Sequence, residues 1–151
     1  MIDRRMFTTA LAVCLLATPA MTRANQPPVR ARVFRAPDCG CCGAWVAHLQ
    51  NHGFLVDLVI TDDMQVVKDR HAVPTPLRSC HTALIDGYVI EGHVPAADIR
   101  TLLDRRPKAE GLAVPGMPIG SPGMEMGEQR DPYDVILWTG SDTQVFSSHR
   151  G

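Results

Sequence analysis

The chain of 151 residues is 45% hydrophobic and 21% charged, the balance of one ordinary globular domain and not of a disordered or membrane-embedded chain. A formal charge of −1 lacks the basic footprint that a nucleic-acid partner requires. With four Phe, two Tyr and two Trp, the core has to rest mainly on aliphatic side chains.

Residues 1–24 read as a signal peptide. Arg4 and Arg5 precede an apolar stretch, Met6 to Ala20, that is too short to span a bilayer, and Thr22-Arg23-Ala24 offers a cleavage point before Asn25. The run Arg4-Arg5-Met6-Phe7 also resembles a twin-arginine export signal, a pattern that ordinary signal peptides with two arginines share. Export to the periplasm is therefore expected, with no membrane span after cleavage. Residues 25–31 read as a polar leader and 32–151 as a single domain. Of the five cysteines, Cys14 leaves with the signal, and Cys39, Cys41, Cys42 and Cys80 remain in a compartment that favours disulfides.

Along the mature chain, Arg32 to Ala36 predicts a short strand stopped by Pro37-Asp38. The motif Cys39-Gly40-Cys41-Cys42 follows, then a helix over 42–52 with Trp45, His48, Leu49 and His52 at three- and four-residue spacings, stopped by Gly53. Phe54 to Ile60 reads as a largely buried strand. Thr61-Asp62-Asp63 supplies caps for a helix over 64–71, which Pro74 and Pro76 end. Strands at 81–85 and 88–91 flank Asp86-Gly87, a pair suited to a type I′ hairpin turn. A two-residue loop pairs Ile85 with Tyr88 and places Cys80 opposite His93, with Cβ atoms roughly 4.5–5.5 Å apart. Pro95 opens a helix over 96–106. Residues 108–132, with four prolines, five glycines and three methionines, show little periodicity and read as a long functional loop. A hairpin of 133–138 and 143–147 closes the chain.

The order strand, helix, strand, helix, strand, strand, helix, with a cysteine motif between the first strand and first helix, predicts an α/β fold. The expected architecture is a thioredoxin-like mixed sheet flanked by helices on both faces, with a long Gly/Pro/Met loop and a C-terminal β-hairpin.

Cys39 and Cys42 have the CxxC spacing of redox-active pairs, and Cys41 inserts a third thiol. At a helix N-terminus the free N–H groups and the dipole favour thiolate, which is both nucleophile and metal ligand. Gly40 and Gly43 read as residues that let the loop fold tightly. The expected topology brings Cys80, His81 and His93 to the same place. Sulfurs with an imidazole suit Cu(I) or Zn(II), and thiolate-rich sites favour Cu(I). Met117 and Met124, with Met126, sit on the long loop and not at helical core spacing, and thioether tilts the choice to copper over zinc. Two plainer readings stand beside this one: structural disulfides, and a structural zinc site. A redox enzyme, a thiol–disulfide oxidoreductase using Cys39 and Cys42, is a third. His48 and His52, four apart on one helix, read as a solvated face before they read as ligands.

These motifs together resemble a known family. Cys39-Gly40-Cys41-Cys42-Gly43 with Trp45, Ser79-Cys80-His81-Thr82, Glu91-Gly92-His93-Val94-Pro95, Gly116-Met117-Pro118 and Gly120-Ser121-Pro122-Gly123-Met124-Glu125 are similar to the CopG-like periplasmic copper-resistance proteins, long filed as a domain of unknown function. The similarity runs from about Arg32 to the final hairpin. It implies a thioredoxin-like fold, a periplasmic location and a cysteine-bound copper centre able to hold more than one ion, working with copper-export or other periplasmic copper-handling proteins. Its sulfur ligands fall on Cys39, Cys41, Cys42 and Cys80, with His93 and Met117 beside them and His81 and Met124 at lower weight. His81 stands where thioredoxins place a cis-proline, which speaks against general disulfide exchange.

Overall fold

The computed structural model describes residues 28–150, so the signal peptide and most of the leader lie outside the described residues. Strand β1 (Val29–Arg35) begins three residues before the expected Arg32, and helix α1 (Gly40–Asn51) begins two before Cys42. Then come β2 (Phe54–Ile60), α2 (Met64–Arg70), a 3₁₀ turn at Thr75–Leu77, β3 (Thr82–Ile85), β4 (Tyr88–Glu91), α3 (Ala96–Arg105), β5 (Gly111–Ala113), β6 (Tyr133–Thr139) and β7 (Asp142–His149). The local stops work as their chemistry requires. Gly53 takes φ +79° after α1. Asp63 caps α2 by accepting from the Val66 N–H at 3.3 Å.

The seven strands of the described residues form one mixed sheet in the order β2-β1-β3-β4-β5-β6-β7. Strand β1 runs parallel to β2 and antiparallel to β3, and β3 pairs antiparallel with β4. The register of that hairpin is the expected one, with Ile85 opposite Tyr88 and Thr82 opposite Glu91. The turn needs left-handed backbone at both positions, and Asp86 (φ 49°) and Gly87 (φ 89°) supply it.

Strand β5 is a correction to the reading of 108–132 as loop throughout. It pairs parallel with β4 and antiparallel with β6, so it joins the terminal hairpin to the rest of the sheet. Three residues, Gly-Leu-Ala, are too few to show an alternation, and only the neighbouring strands define it.

Strand alternation divides the core between the two faces. On one, Ala31, Val33, Ala83, Ile85 and Ile90 pack with Trp45 and Leu49 of α1 and Ile99 and Leu102 of α3. Each fully buried Val, Leu or Ile side chain among these is worth about 1.5–3 kcal/mol. On the other, Leu77, Ala113 and Trp138 form a smaller cluster. Beside it Lys68 of α2 reaches under the sheet to Thr82 and Glu91. No helix among the described residues is long and apolar enough to cross a membrane.

Candidate metal centre

The end of β1 delivers the chain to the cysteine motif. Cys39 is the N-cap of α1, with extended backbone and no side-chain capping bond, and Cys41 and Cys42 occupy the first turn. Their sulfurs therefore lie where helix N–H groups are unpartnered and the dipole favours negative charge. Cys39 and Cys42 are joined by a disulfide, and Cys41 and Cys80 are free. The Cys41 sulfur is 3.6 Å from that of Cys39. Gly40 and Gly43 do not act as read from the sequence. Both sit within the helix, and a Cβ at either would meet nothing within 4 Å.

The β3–β4 hairpin brings in the second group. The Sγ of Cys80 lies 3.1 Å from His93 Nε2 and 3.3 Å from His81 Nδ1. Both imidazoles are fully buried, while the cysteine keeps some exposure. Two donor sets result: Cys39, Cys41, Cys42 and Cys80, and separately Cys80, His81 and His93. Within each set the donor atoms lie within 4.8 Å of one another. Cys80 belongs to both.

The surroundings fix these groups. His93 Nδ1 donates to the Pro122 carbonyl at 2.8 Å, which leaves Nε2 as the lone-pair nitrogen facing Cys80. His81 packs against Trp45 with ring centroids 4.3 Å apart and the planes tilted by 43°, and the indole N–H is held by the Val94 carbonyl at 2.9 Å. Trp45 is thus both core and site wall. Burial holds His81 well below its usual range, helped by His93 and Lys68, and burial also lowers His93. Both shifts favour the neutral imidazole, the form that ligates metal. Burial first, and then the neighbouring Cys41, push the Cys80 thiol up to about 11.

Two further features escaped the sequence reading. Glu91, at the foot of the hairpin, accepts from Lys68 Nζ at 2.6 Å, from Thr82 Oγ1 at 2.7 Å and from the Ser79 N–H at 2.7 Å. This buried network ties α2 to the segment that carries Cys80. The second is Gly123 (φ +85°), where a Cβ would fall 2.7 Å from Trp45 N and 2.8 Å from the Cys41 carbonyl. Only a glycine lets the long loop lie against the first turn of α1. Both Pro122 and Gly123 belong to the quoted loop motif, but nothing in their spacing shows what they touch. Met124 follows, half-buried, and Met117 is 52% exposed. His48 is already engaged, its Nε2 accepting from the Ala96 N–H at the start of α3 at 3.1 Å.

Two solved structures are similar to this chain in fold and sequence. Both are of copper resistance protein copG. Form 1 is 48% identical with a TM-score of 0.78, covering 83% of this chain and all of that one. Form 2 is 46% identical with a TM-score of 0.77, covering 82% of this chain and 99% of that one.

The chain belongs to the CopG family.

A family model described as a protein of unknown function, DUF411, also matches residues 77–124, the part of this CopG-family chain from Leu77 through Cys80 and His93 to Met124. No curated protein matches the sequence. The donor set itself fits a soft metal, since it offers thiol sulfur and neutral imidazole nitrogen with no carboxylate in either group.

Proposed function

We propose that the protein is a periplasmic copper-binding protein of copper resistance, holding Cu(I) at Cys39, Cys41, Cys42 and Cys80. The observation that carries this reading is the convergence of four sulfurs, from a helix N-terminus and a hairpin, within 4.8 Å. That many soft donors at one place exceeds what one structural disulfide needs, and it suits more than one Cu(I). His93 closes the site from the hairpin side, and Met117 and Met124 of the long loop add thioether donors. The copper resistance proteins similar to this chain support the choice of copper over zinc. Cycling between Cu(I) and Cu(II) at the cluster is the redox activity such a site would support, with copper delivered to or from export and other periplasmic copper-handling proteins. The signal-peptide pattern of residues 1–24 supports export.

The disulfide gives a specific ground for a second reading. Cys39 and Cys42 are bonded, and the Cys41 sulfur stands 3.6 Å from that of Cys39, as a resolving thiol in a thiol–disulfide oxidoreductase would. A Cu(I) titration of the reduced domain against a chromophoric chelator separates the two. Tight binding of more than one equivalent, sharply weakened by Cys41→Ser, is the expected result. No retained Cu(I), together with reductase activity on a disulfide substrate, would overturn the copper reading.

A further inference from the structure

The four sulfurs do not share one state. Cys39 and Cys42 are bonded to each other, which removes the thiolate character that binds metal, whereas Cys80 is free. Cys80 also heads the second donor set, whose other members, His81 and His93, take no part in the disulfide. The geometry points to a separate mononuclear metal site at Cys80, His81 and His93 that persists when Cys39 and Cys42 are oxidised, so that the disulfide sets how many ions the protein holds and not whether it holds any.

Three features of the hairpin support the site. First, the distances suit one ion. Ligands at about 2.3 Å for sulfur and about 2.0–2.1 Å for nitrogen place neighbouring donors roughly 3.3–3.7 Å apart. The sulfur-to-nitrogen distances of 3.1 and 3.3 Å already lie near this without an ion to gather them. Second, the imidazoles are held in place. His93 is fixed through Nδ1 by Pro122, and His81 by Trp45 on one side and the edge of His93, 5.0 Å between centroids, on the other. Third, His81 directs Nδ1 at the Cys80 sulfur at 3.3 Å although the side chain is fully buried, and a packing role between Trp45 and the sheet would be met by an apolar ring. A Cys/His/His set is open to Cu(I), Cu(II) or Zn(II).

Cys80 links this site to the sulfur cluster. A dithiol reductant transfers two electrons and two protons to the Cys39–Cys42 bond and leaves as its own disulfide, freeing two thiols. The cluster then assembles around Cys80, which bridges it to the imidazole site. That second half rests on the copper reading proposed above, but the three-donor site does not.

The test uses the mature domain with its Cys39–Cys42 bond intact, verified by a count of two free thiols. It is titrated with Cu(I) against a chromophoric chelator, and again after reduction by a dithiol that is then removed. The oxidised protein should retain one equivalent and the reduced protein more. Cys41→Ser should leave the oxidised equivalent in place, and His81→Phe should abolish it. X-ray absorption of the wild-type oxidised protein loaded with one Cu(I) should show one sulfur and two imidazole nitrogens, a readout independent of how the His81 variant folds. An oxidised protein that holds no Cu(I), or one whose single copper has only sulfur neighbours, overturns the inference. Several equivalents in the reduced state with none in the oxidised state would do so while leaving the cluster standing. One equivalent in both states would overturn the cluster and leave the imidazole site.

Discussion

Cys80 Sγ and His93 Nε2 meet at 3.1 Å, and the Pro122 carbonyl behind the imidazole decides which of them holds the proton. A carbonyl only accepts, so His93 Nδ1 carries hydrogen and Nε2 presents its lone pair. The hydrogen between the two side chains is therefore the thiol's, in keeping with a Cys80 thiol pushed up to about 11.

Alkylation of Cys80 tests this. Its ordinary value is 9.0, so the rise makes the thiolate about a hundredfold scarcer near pH 8, and labelling should be slower in proportion. The half-point of the rate should move from 9.0 towards 11. The sign for stability follows, because the raised folded value favours the neutral thiol. That contribution is full below 9.0 and is lost as pH rises from there to about 11. Cys41→Ser should bring the half-point down, since Cys41 is the second cause of the shift after burial. Peptide mapping of iodoacetamide adducts across pH measures it. A half-point at or below 9.0 with Cys41 present would refute the assignment.

Gly123→Ala should damage the site from outside the ligand set. Its Cβ would fall 2.7 Å from Trp45 N and 2.8 Å from the Cys41 carbonyl, both backbone atoms that cannot swing aside. The left-handed backbone at φ +85° adds about 1–2 kcal/mol, and relieving the clash adds roughly 1–3 kcal/mol more. Gly116→Ala is the control, with φ +70° but open space around its Cβ, so it should carry the backbone cost alone. Chemical denaturation of the two variants should rank Gly123→Ala well below Gly116→Ala. Equal losses would mean that the loop does not bear on α1.

Met117→Ala separates ligation from folding. At 52% exposure the side chain contributes little to packing, so the melting curve should hold within about 0.5 kcal/mol. Cu(I) retention by the reduced protein should fall about tenfold, equivalent to about 1.4 kcal/mol. Unchanged retention would remove Met117 from the ligand set.

The hairpin and the cysteine motif were legible because each depends on local chemistry. Asp86-Gly87 dictates a two-residue turn, the turn dictates register, and register brings Cys80 to His93. The helix after Cys39 and the caps at Asp63 and Gly53 follow from spacing alone. What stayed hidden is non-local. Gly111–Ala113 is a strand only because β4 and β6 flank it. Gly123 and Pro122 matter through atoms of α1 and of His93, just past β4, that are remote in sequence. Gly40 and Gly43 read as the glycines that tighten the cysteine loop, whereas the crowded glycine is Gly123, whose neighbours on α1 are about 80 residues away in sequence and leave no local signal. The partnership of Lys68 and Glu91 spans 23 residues with no periodic signal to announce it.

That pair carries the largest predicted stability effect. Lys68 and Glu91 are 2% and 0% exposed, and their 2.6 Å contact is backed by Thr82 and the Ser79 N–H. Lys68→Met would leave Glu91 buried without its cation, a loss of about 3–5 kcal/mol where the carboxylate stays charged. Burial already raises Glu91 above its ordinary 4.5, and Lys68 is the chief opposing influence, so the variant should raise it further. A folded value above the unfolded one contributes stability that is fully present below 4.5 and is lost as pH rises through the folded value. The deficit of Lys68→Met relative to wild type should therefore be small near pH 4.5 and grow towards pH 8. Glu91→Gln in the Lys68→Met background should flatten that dependence, because a neutral amide has no proton to lose. Urea denaturation at a series of pH values measures all three proteins. A deficit that does not change with pH would show that Glu91 finds water or another donor once Lys68 is gone. The network also holds the Ser79 N–H beside Cys80, so the charged state of Lys68→Met should hold copper less tightly than its protonated state once the intrinsic pH dependence of wild type is subtracted.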